Sequence, residues 1–410
     1  MPAEEMLKKY AEVAVSVGLG VEKGDRVLLL SPIQLPEFTR MLVETAYEAG
    51  AVSVDLLWKD QAAEKARFTH GSAAASDAVS GTSHFRLLAY EMGASYLNVF
   101  AEDPAGMAGA DTSKIRRFQK ANGEYLEPEM AGRGALEVPW CIISAPVPGW
   151  NNTVFPDSDP EAATERMWEA IFRSCRIDRD DPVGAWRDHL SELNRRKKHL
   201  SERAFSLLRY EGPGTDLVLG LPDGAKWEGG GVSTPEGRPF VPNLPTEEVF
   251  TSPHREKGDG HIAATKPLSY FGDLIEGFTF EVSDGRVVSS SANKNAELLE
   301  QILATDDGAV RFGEAAMVPQ SGAVAAEKLV WNNALYDEND ACHIALGQSY
   351  SSCLEGASSM TKEEQSEAGL NQSTVHVDFV VGSPELSVFG VLDDGQEEPI
   401  ISKGEWAFEV

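Results

Sequence analysis

The sequence has few of the features that mark secreted or membrane-bound proteins. Its 410 residues contain four cysteines, none of them in a CxxC pair: Cys141, Cys175, Cys342 and Cys353. Thiols this few and this widely spaced make neither a disulfide framework nor a zinc finger, so we expect reduced cysteines and a cytoplasmic protein. The first nine residues include acidic and basic side chains, unlike a secretory signal. No apolar run approaches the roughly 20 residues of a membrane helix, so we expect no membrane partner.

Positive charge is also scarce. The chain has 36 Lys and Arg residues against 65 Asp and Glu residues, a formal net charge of −29 at pH 7. So acidic a protein would repel a phosphate backbone, which argues against nucleic acid as a partner. The charge favours a cationic or amine-bearing ligand, although solubility or a salty habitat explains it at least as well.

The common local motifs of catalysis are missing too. The sequence has no HExxH helix, no GxSxG elbow and no Walker A loop. If the protein is an enzyme, its site is therefore assembled from residues that lie far apart in the chain.

The length of the chain predicts two domains of about 200 residues each. In the first half, apolar strand patterns alternate with amphipathic helical stretches, which is typical of β-α-β units and a parallel sheet. The predicted strands are RVLLL (26–30), AVSVDLLW (51–58), SYLNVFA (95–101) and PWCIISAPV (139–147). We therefore predict an N-terminal α/β domain with a largely parallel sheet over residues 1–211.

The pattern changes after EGPGTDLVLGLPDG, where short alternating strands are separated by Gly, Pro and Asp turns. HIALGQSY and VHVDFVVG are two of these strands. This pattern predicts a β-rich α+β domain over residues 212–410. From its acids and histidines we also predict a two-metal site in this domain.

One predicted strand, STVHVDFVVG (373–382), carries a histidine and an aspartate two positions apart. His376 and Asp378 share one face of such a strand, about 6.5 to 7 Å apart along the backbone. The pair is either a salt bridge on an edge strand or a pair of metal ligands on a rigid element.

Further acids and imidazoles, and one tyrosine, occur in stretches of small or apolar residues. They are Glu247 and Glu248 in NLPTEEVFTSP, Glu314 in RFGEAAMVP, and Glu338, His343 and Tyr350 in NALYDENDACHIALGQSY. Adjacent residues of an extended chain face opposite ways, so only one of Glu247 and Glu248 can face a given site. Isolated buried charge is costly, and divalent cations remove that cost. Four carboxylates and two imidazoles suffice for two metal ions that share a bridging carboxylate, and mixed N/O ligation suits zinc, cobalt or manganese.

These motifs, together with GTDLVLGLP and WCIISAPVPGW, resemble in order and spacing the M29 family of metal-dependent aminopeptidases, the thermophilic aminopeptidase type. The resemblance implies two divalent metal ions per subunit, Zn²⁺, Co²⁺ or Mn²⁺/Mg²⁺. It implies a cluster made of Glu248, Glu314, Glu338, His343, His376 and Asp378, with Tyr350 as the catalytic tyrosine. The choice of Glu248 over Glu247 rests on this resemblance.

The resemblance further implies an aminopeptidase that releases N-terminal residues from short peptides with a free N-terminus. Metal-activated water would attack the first peptide bond, with either Glu314 or Glu338 as the proton acceptor and Tyr350 as a hydrogen-bond donor to the oxyanion. A homodimer that encloses the active sites in an internal cavity is also implied.

Two alternatives remain open at this point. Another two-metal hydrolase, such as a phosphoesterase, would need basic residues near the cluster, and only Arg311 and Lys328 flank the motifs closely. A catalytically silent, metal-stabilised binding protein of the same fold would keep the ligands and lose the acid, the base or the tyrosine. Tyr350 and all the carboxylates are present, which favours the enzyme.

Overall fold

We analysed a computed structural model of the chain, which describes residues 4–270 and 273–410. Contacts divide it into two compact units, one of Met1–Asp188 with Gly231–Pro245 and the other of His189–Gly230 with Thr246–Val410. The domain boundary between residues 211 and 212 stays a prediction, and residues 1–3 of the predicted first domain lie outside the described residues.

The first unit is built around a parallel sheet. Its strands are β1 (Arg26–Pro32), β2 (Ser53–Lys59), β3 (Ser95–Val99) and β4 (Trp140–Ile143), in the order β2-β1-β3-β4. The helices before, between and after them are α1 (Glu4–Val13), α2 (Pro36–Glu48), α3 (Gln61–His70), α4 (Ala73–Asp77), α5 (Gly81–Glu91), α6 (Thr112–Tyr125), α7 (Glu127–Gly134), α8 (Pro148–Val154) and α9 (Pro160–Ser174). A π-helical turn, Ala14–Gly18, follows α1. This is the β-α-β arrangement that the alternating pattern predicts.

Aspartate caps fix where several of these helices begin. Asp60, Asp111 and Asp159 each accept hydrogen bonds from two backbone N–H groups in the first turn of α3, α6 and α9. An N-cap side chain satisfies donors that have no partner inside the helix, and each is worth about 1 kcal/mol.

The rest of the chain is rich in strands. After α10 (Pro182–Arg203) come β5 (Leu207–Gly212), β6 (Thr215–Gly220), β7 (Glu228–Gly229), β8 (Val232–Ser233), β9 (Pro239–Phe240), β10 (Val249–Thr251), β11 (Gly258–Ala263), β12 (Leu268–Tyr270), β13 (Asp273–Ile275), β14 (Thr279–Ser283), β15 (Arg286–Ser291), β16 (Phe312–Met317), β17 (His343–Gly347), β18 (His376–Val380), β19 (Ser387–Val391), β20 (Glu397–Ser402) and β21 (Glu405–Trp406). The helices α11 (Ala296–Leu303), α12 (Ala334–Asp337) and α13 (Lys362–Glu367) are short.

Two antiparallel sheets dominate the second unit. One has eight strands in the order β15-β14-β11-β6-β5-β19-β20-β21, and the other has five in the order β18-β17-β16-β10-β7. Two small hairpins, β12-β13 and β8-β9, stand apart from these sheets, the latter in the first unit.

The five-stranded sheet has one apolar face. Met317 of β16, Ile344 of β17 and Phe379 of β18 are buried in a core that also contains residues of the eight-stranded sheet. The Phe379 ring packs against Phe278 and Phe280, with ring centroids 5.6 and 5.3 Å away. Since side chains alternate along a strand, the neighbours of these residues point to the opposite face of the sheet.

Among the described residues, no helix combines the length and the apolar character required to span a bilayer.

Candidate metal centre

The opposite face of the five-stranded sheet collects most of the predicted site residues. Glu314 lies on β16, His343 on β17, and both His376 and Asp378 on β18, while Glu248 directly precedes β10. Pairing places Glu314 opposite Ala345, and Ala345 opposite Asp378. Residues paired across strands lie on the same face, so the register itself brings these side chains together.

Small residues separate the ligand-type side chains on this face. Ala316 pairs with His343, Ala345 lies between Glu314 and Asp378, and Gly347 pairs with His376. Larger side chains here would fill the space between the carboxylates and the imidazoles. The small residues therefore keep the carboxylates and imidazoles of this face from being separated by bulky side chains.

Imidazole nitrogens lie close to carboxylate oxygens in three places. His343 Nε2 is 3.2 Å from Glu248 Oε2, and His376 Nε2 is 3.0 Å from Glu314 Oε2. His376 Nε2 is also 3.4 Å from Asp378 Oδ1. Within the described residues, that Asp378 oxygen has no hydrogen bond of ordinary geometry.

Backbone carbonyls orient both imidazole rings. His376 Nδ1 is 2.8 Å from the Gln348 carbonyl oxygen, and His343 Nδ1 is 3.3 Å from that of Ala341. A carbonyl oxygen only accepts hydrogen bonds, so each Nδ1 donates and each Nε2 faces the carboxylates. Metal-binding histidines are typically oriented in this way by their second nitrogen.

The candidate ligand atoms form two groups that share one residue. Glu248, Glu314 and His343 make one group, and Glu314, His376 and Asp378 make the other. Within each group the atoms lie within 4.8 Å of one another. Glu314 belongs to both groups, as a carboxylate that bridges two ions must.

The electrostatics of the cluster show that the residues fit a cation. Burial raises the pKa of the Glu314 carboxyl to about 7, against the opposing effect of its hydrogen bond with His376. Burial alone would lower the pKa of His343, but the hydrogen bond and charge of Glu248 raise it to about 10. In the metal-free protein, protons therefore balance part of the negative charge. Divalent cations would take over that role and release these protons.

Glu338 lies close to the cluster but outside both groups of ligand atoms. It follows α12 directly and lies on a turn rather than on a strand. Burial raises its pKa well above the usual range of a glutamate, and the negative charges of Glu248 and Asp378 raise it further. It is therefore part of the same electrostatic cluster.

Tyr350 lies beside the second group. Its hydroxyl is 3.3 Å from His376 Nε2, and its ring centroid is 5.2 Å from that of Phe250. Although the residue is 41% exposed, partial desolvation raises the pKa of its phenol, and the charge of Glu314 raises it further. The hydroxyl consequently keeps its proton at neutral pH and can donate it in a hydrogen bond.

The two adjacent glutamates point in different directions, as an extended chain requires. Glu248 reaches His343, whereas the Glu247 carboxylate lies 3.7 Å from His189 Nε2. The structure thus brings Glu248, and not Glu247, into the candidate cluster.

Two residues that support the site were not predicted from the sequence. Gln348 orients His376 through its backbone carbonyl, and Asn339 contacts Glu338 through its side chain. A contact through the backbone carbonyl does not depend on residue type, so the role of Gln348 cannot be predicted from the sequence. Asparagine is common in polar turns, so Asn339 alone does not indicate a role.

Two groups of carboxylate and imidazole ligand atoms that share Glu314 are typical of a centre of two divalent metal ions, as many hydrolases have. Over residues 3–406 the chain matches the family described as thermophilic metalloprotease (M29). It is 41% identical over 415 residues to Aminopeptidase 2 of Geobacillus stearothermophilus, with 99% of each chain covered. It is 40% identical over 401 residues to Aminopeptidase T of Thermus thermophilus, with 98% of each covered.

A solved structure gives the same result. The structure of wild-type AmpT from Thermus thermophilus matches with a TM-score of 0.93 at 38% identity, covering 99% of this chain and 100% of that one. The chain belongs to the M29 family of metalloproteases, and it is a peptidase that uses divalent metal. The predicted family, fold class and enzyme class are confirmed.

The small residues of the site face give a first test. Replacing Ala345 by Leu would place a branched side chain between Glu314 and Asp378, so we expect cobalt affinity to fall by about tenfold or more, as for other disturbances around metal ligands. Titration calorimetry of the metal-free protein measures this. Ile344→Val on the core face is the control: it should cost about 0.5–1.5 kcal/mol of unfolding free energy and leave cobalt affinity unchanged. Wild-type affinity in A345L would contradict the assignment of this face.

Proposed function

We propose that this protein releases N-terminal amino acids from short peptides by water attack on the first peptide bond, at a centre of two divalent metal ions. The observation that carries the two-metal proposal is the place of Glu314 in both groups of ligand atoms. The predicted aminopeptidase activity agrees with the names of the curated relatives, which confirms that part of the prediction.

In this proposal the cluster residues hold the two ions. Glu248, Glu314 and His343 bind one, and Glu314, His376 and Asp378 bind the other. The resemblance adds Glu338 to the cluster. The nitrogen and oxygen donors suit Zn²⁺, Co²⁺ or Mn²⁺, with Mg²⁺ also in the predicted set. When bound, such ions polarise a carbonyl and make a water molecule acidic enough to ionise near neutral pH.

A carboxylate of the cluster would accept the proton of the attacking water and return it to the departing amine. Glu314 and Glu338 are the two candidates. Glu314 is fixed by the strand register, and Glu338 approaches the same face from the turn after α12.

Tyr350 would stabilise the tetrahedral oxyanion. Its phenol stays protonated at neutral pH, and its hydroxyl lies 3.3 Å from His376 Nε2, at the edge of the cluster. A donor in this place acts most strongly when negative charge develops on the carbonyl oxygen.

The acids of the cluster and the net charge of the protein favour a substrate with a free α-amine. Glu248, Glu314, Glu338 and Asp378 converge on one sheet face, and the net charge of −29 gives the whole protein the same sign. An ammonium group is attracted by the net charge of the protein and could pair with a single carboxylate of the cluster, whereas an acylated N-terminus has no charge to offer.

The alternatives find less support. A phosphoesterase needs basic side chains near its metal ions to bind phosphate, but the Arg311 guanidinium donates to the backbone carbonyls of Arg255 and Asp284. A catalytically silent binding protein would lack catalytic groups, whereas Tyr350 and all the carboxylates are present in the sequence.

We also propose a cytoplasmic homodimer that encloses its active sites, as the family resemblance implies. All four cysteines are buried and none is joined in a disulfide within the described residues, which is consistent with a reducing compartment. An enclosed cavity would restrict substrates to short peptides.

The proposed activity has a direct assay. Free aminoacyl anilides should be hydrolysed and their N-acetylated forms should not, because acetylation removes the α-amine charge. Chelation should abolish hydrolysis, and zinc or cobalt should restore it. Equal rates on blocked and free substrates would refute the exopeptidase proposal. Cleavage of phosphate esters alone would favour a phosphoesterase, and full metal occupancy without turnover would favour a binding protein.

Glutamine variants separate the roles of the two candidate bases. Glu314→Gln should reduce both metal content and turnover to near zero, since a bridging amide cannot hold two cations. If Glu338 is the proton acceptor, Glu338→Gln should keep both ions and lose turnover by about 10²- to 10⁴-fold. Metal analysis of the purified variants beside kcat measures both effects. Full activity in E314Q would remove Glu314 from the bridging role.

Removing the tyrosine hydroxyl tests the oxyanion contact. We expect Tyr350→Phe to lower kcat by about 10²- to 10³-fold, because the donor is used mainly in the transition state. KM and metal content should change little. Phe250→Leu removes the ring packed on Tyr350 and keeps the hydroxyl, so it should retain most of kcat. A Y350F enzyme with wild-type kcat would exclude the proposed role.

A further inference from the structure

Asn339 is a fully buried side chain next to Glu338, at 0% exposure. Its Oδ1 accepts a hydrogen bond from the Glu247 backbone N–H at 2.7 Å. Its Nδ2 donates to the Leu335 carbonyl at 2.8 Å and lies 3.4 Å from Glu338 Oε1. The Asn339 side chain therefore contacts both the segment that carries Glu248 and the turn that carries Glu338.

The partners fix the orientation of this amide. The Glu247 N–H can only donate and the Leu335 carbonyl can only accept, so Oδ1 and Nδ2 cannot be exchanged. An aspartate has the same shape but no donor. It would direct a negative oxygen at the Leu335 carbonyl and at the Glu338 carboxylate.

A second residue, His189, contacts the segment that leads into β10. His189 Nε2 is 2.8 Å from the Thr246 carbonyl oxygen and 3.7 Å from the Glu247 carboxylate. With the Asn339 contact to the Glu247 N–H, the backbone before Glu248 has little freedom to shift. The position of Glu248 thus depends on the same amide as that of Glu338.

The turn has another anchor on the far side of Glu338. Asp340 is 3% exposed and forms an ion pair with Lys266. The neighbouring Thr265 donates from its N–H to the Val380 carbonyl at 2.9 Å and from its hydroxyl to the Gly382 carbonyl at 2.8 Å. The turn is consequently tied to the start of β10 through Asn339 and to the end of β18 through Asp340.

We propose that Asn339 is a positioning residue that fixes Glu338 relative to Glu248 above the sheet and so sets the geometry of the metal cluster. It reaches no substrate and acts through the two glutamates. The inference rests on the proposed function, and it holds whether Glu338 is a ligand or the proton acceptor.

A matched control lies at the N-cap of α12, the short helix that precedes Glu338 and Asn339. Asn333 is 5% exposed and caps α12, and its side chain accepts a hydrogen bond from the Leu335 N–H at 3.1 Å. A carboxylate caps a helix as well as an amide does. Asn333→Asp therefore makes the same chemical change as Asn339→Asp, five residues before Glu338, and keeps its hydrogen bond.

The experiment compares N339D with N333D and wild type as full-length proteins. Metal-free samples are titrated with cobalt by calorimetry, the absorption spectrum of bound cobalt is recorded, and kcat and KM are measured on an unblocked aminoacyl anilide. We expect N339D to bind cobalt about 10- to 100-fold more weakly, the usual effect of losing a residue that orients metal ligands. Its cobalt spectrum should change and its kcat should fall with KM nearly constant, whereas N333D should match wild type.

The outcomes separate this inference from the proposed function. If N339D has the same cobalt affinity, the same cobalt absorption spectrum and the same kcat as N333D, the proposed positioning role is wrong. If wild type itself cleaves no unblocked anilide, the proposed function fails, while the cobalt titration still tests the positioning role. Should N339D not fold, Asn339→Ala serves instead, because it removes the contacts without adding charge. Failure of both variants to fold would overturn the proposal in favour of a purely structural role.

Discussion

The pairing register of β16, β17 and β18 is the constraint on which the site depends. It sets Glu314, Ala345 and Asp378 side by side on one face. A slip of one residue in β17 would turn His343 into the core and place Ile344 among the carboxylates. The apolar face prevents that slip, because Ile344 and Leu346 are buried in the core shared with the eight-stranded sheet. The hydrophobic core therefore determines the geometry of the metal centre as well as the stability of the unit.

The cluster itself opposes folding when no cation is bound. Glu248 and Glu314 are 8% and 3% exposed, and burying like charges close together is unfavourable. Protons on the imidazoles and on part of the carboxylates relieve the repulsion in the metal-free protein, as the raised pKa values of His343 and Glu314 indicate. Metal binding replaces those protons and adds its own free energy to the folded state. The apolar face of the same strands contributes the folding stability that offsets the cost of burying the cluster.

Sequence patterns were sufficient where the information is local. Alternating helices and strands predicted the parallel sheet, and the period of two placed His376 and Asp378 on one face of β18. The choice between Glu247 and Glu248 needed the family resemblance, since an extended chain allows either to face the site. The strand order of the eight-stranded sheet and the contacts of Asn339 depend on segments far apart in the chain. No local pattern of hydrophobicity or turn residues encodes them.

Glu338 comes from a turn, unlike Glu314 and Asp378, which lie on strands. Along β16, β17 and β18 that face is already shared between ligand-type residues and the small residues Ala316, Ala345 and Gly347. Another carboxylate on a strand would occupy the space that ions and substrate need. An acid on a turn, such as Glu338, avoids this conflict but lacks the rigidity of a strand. Its position must then come from side-chain contacts, and Asn339 on one side and the Asp340–Lys266 pair on the other provide them.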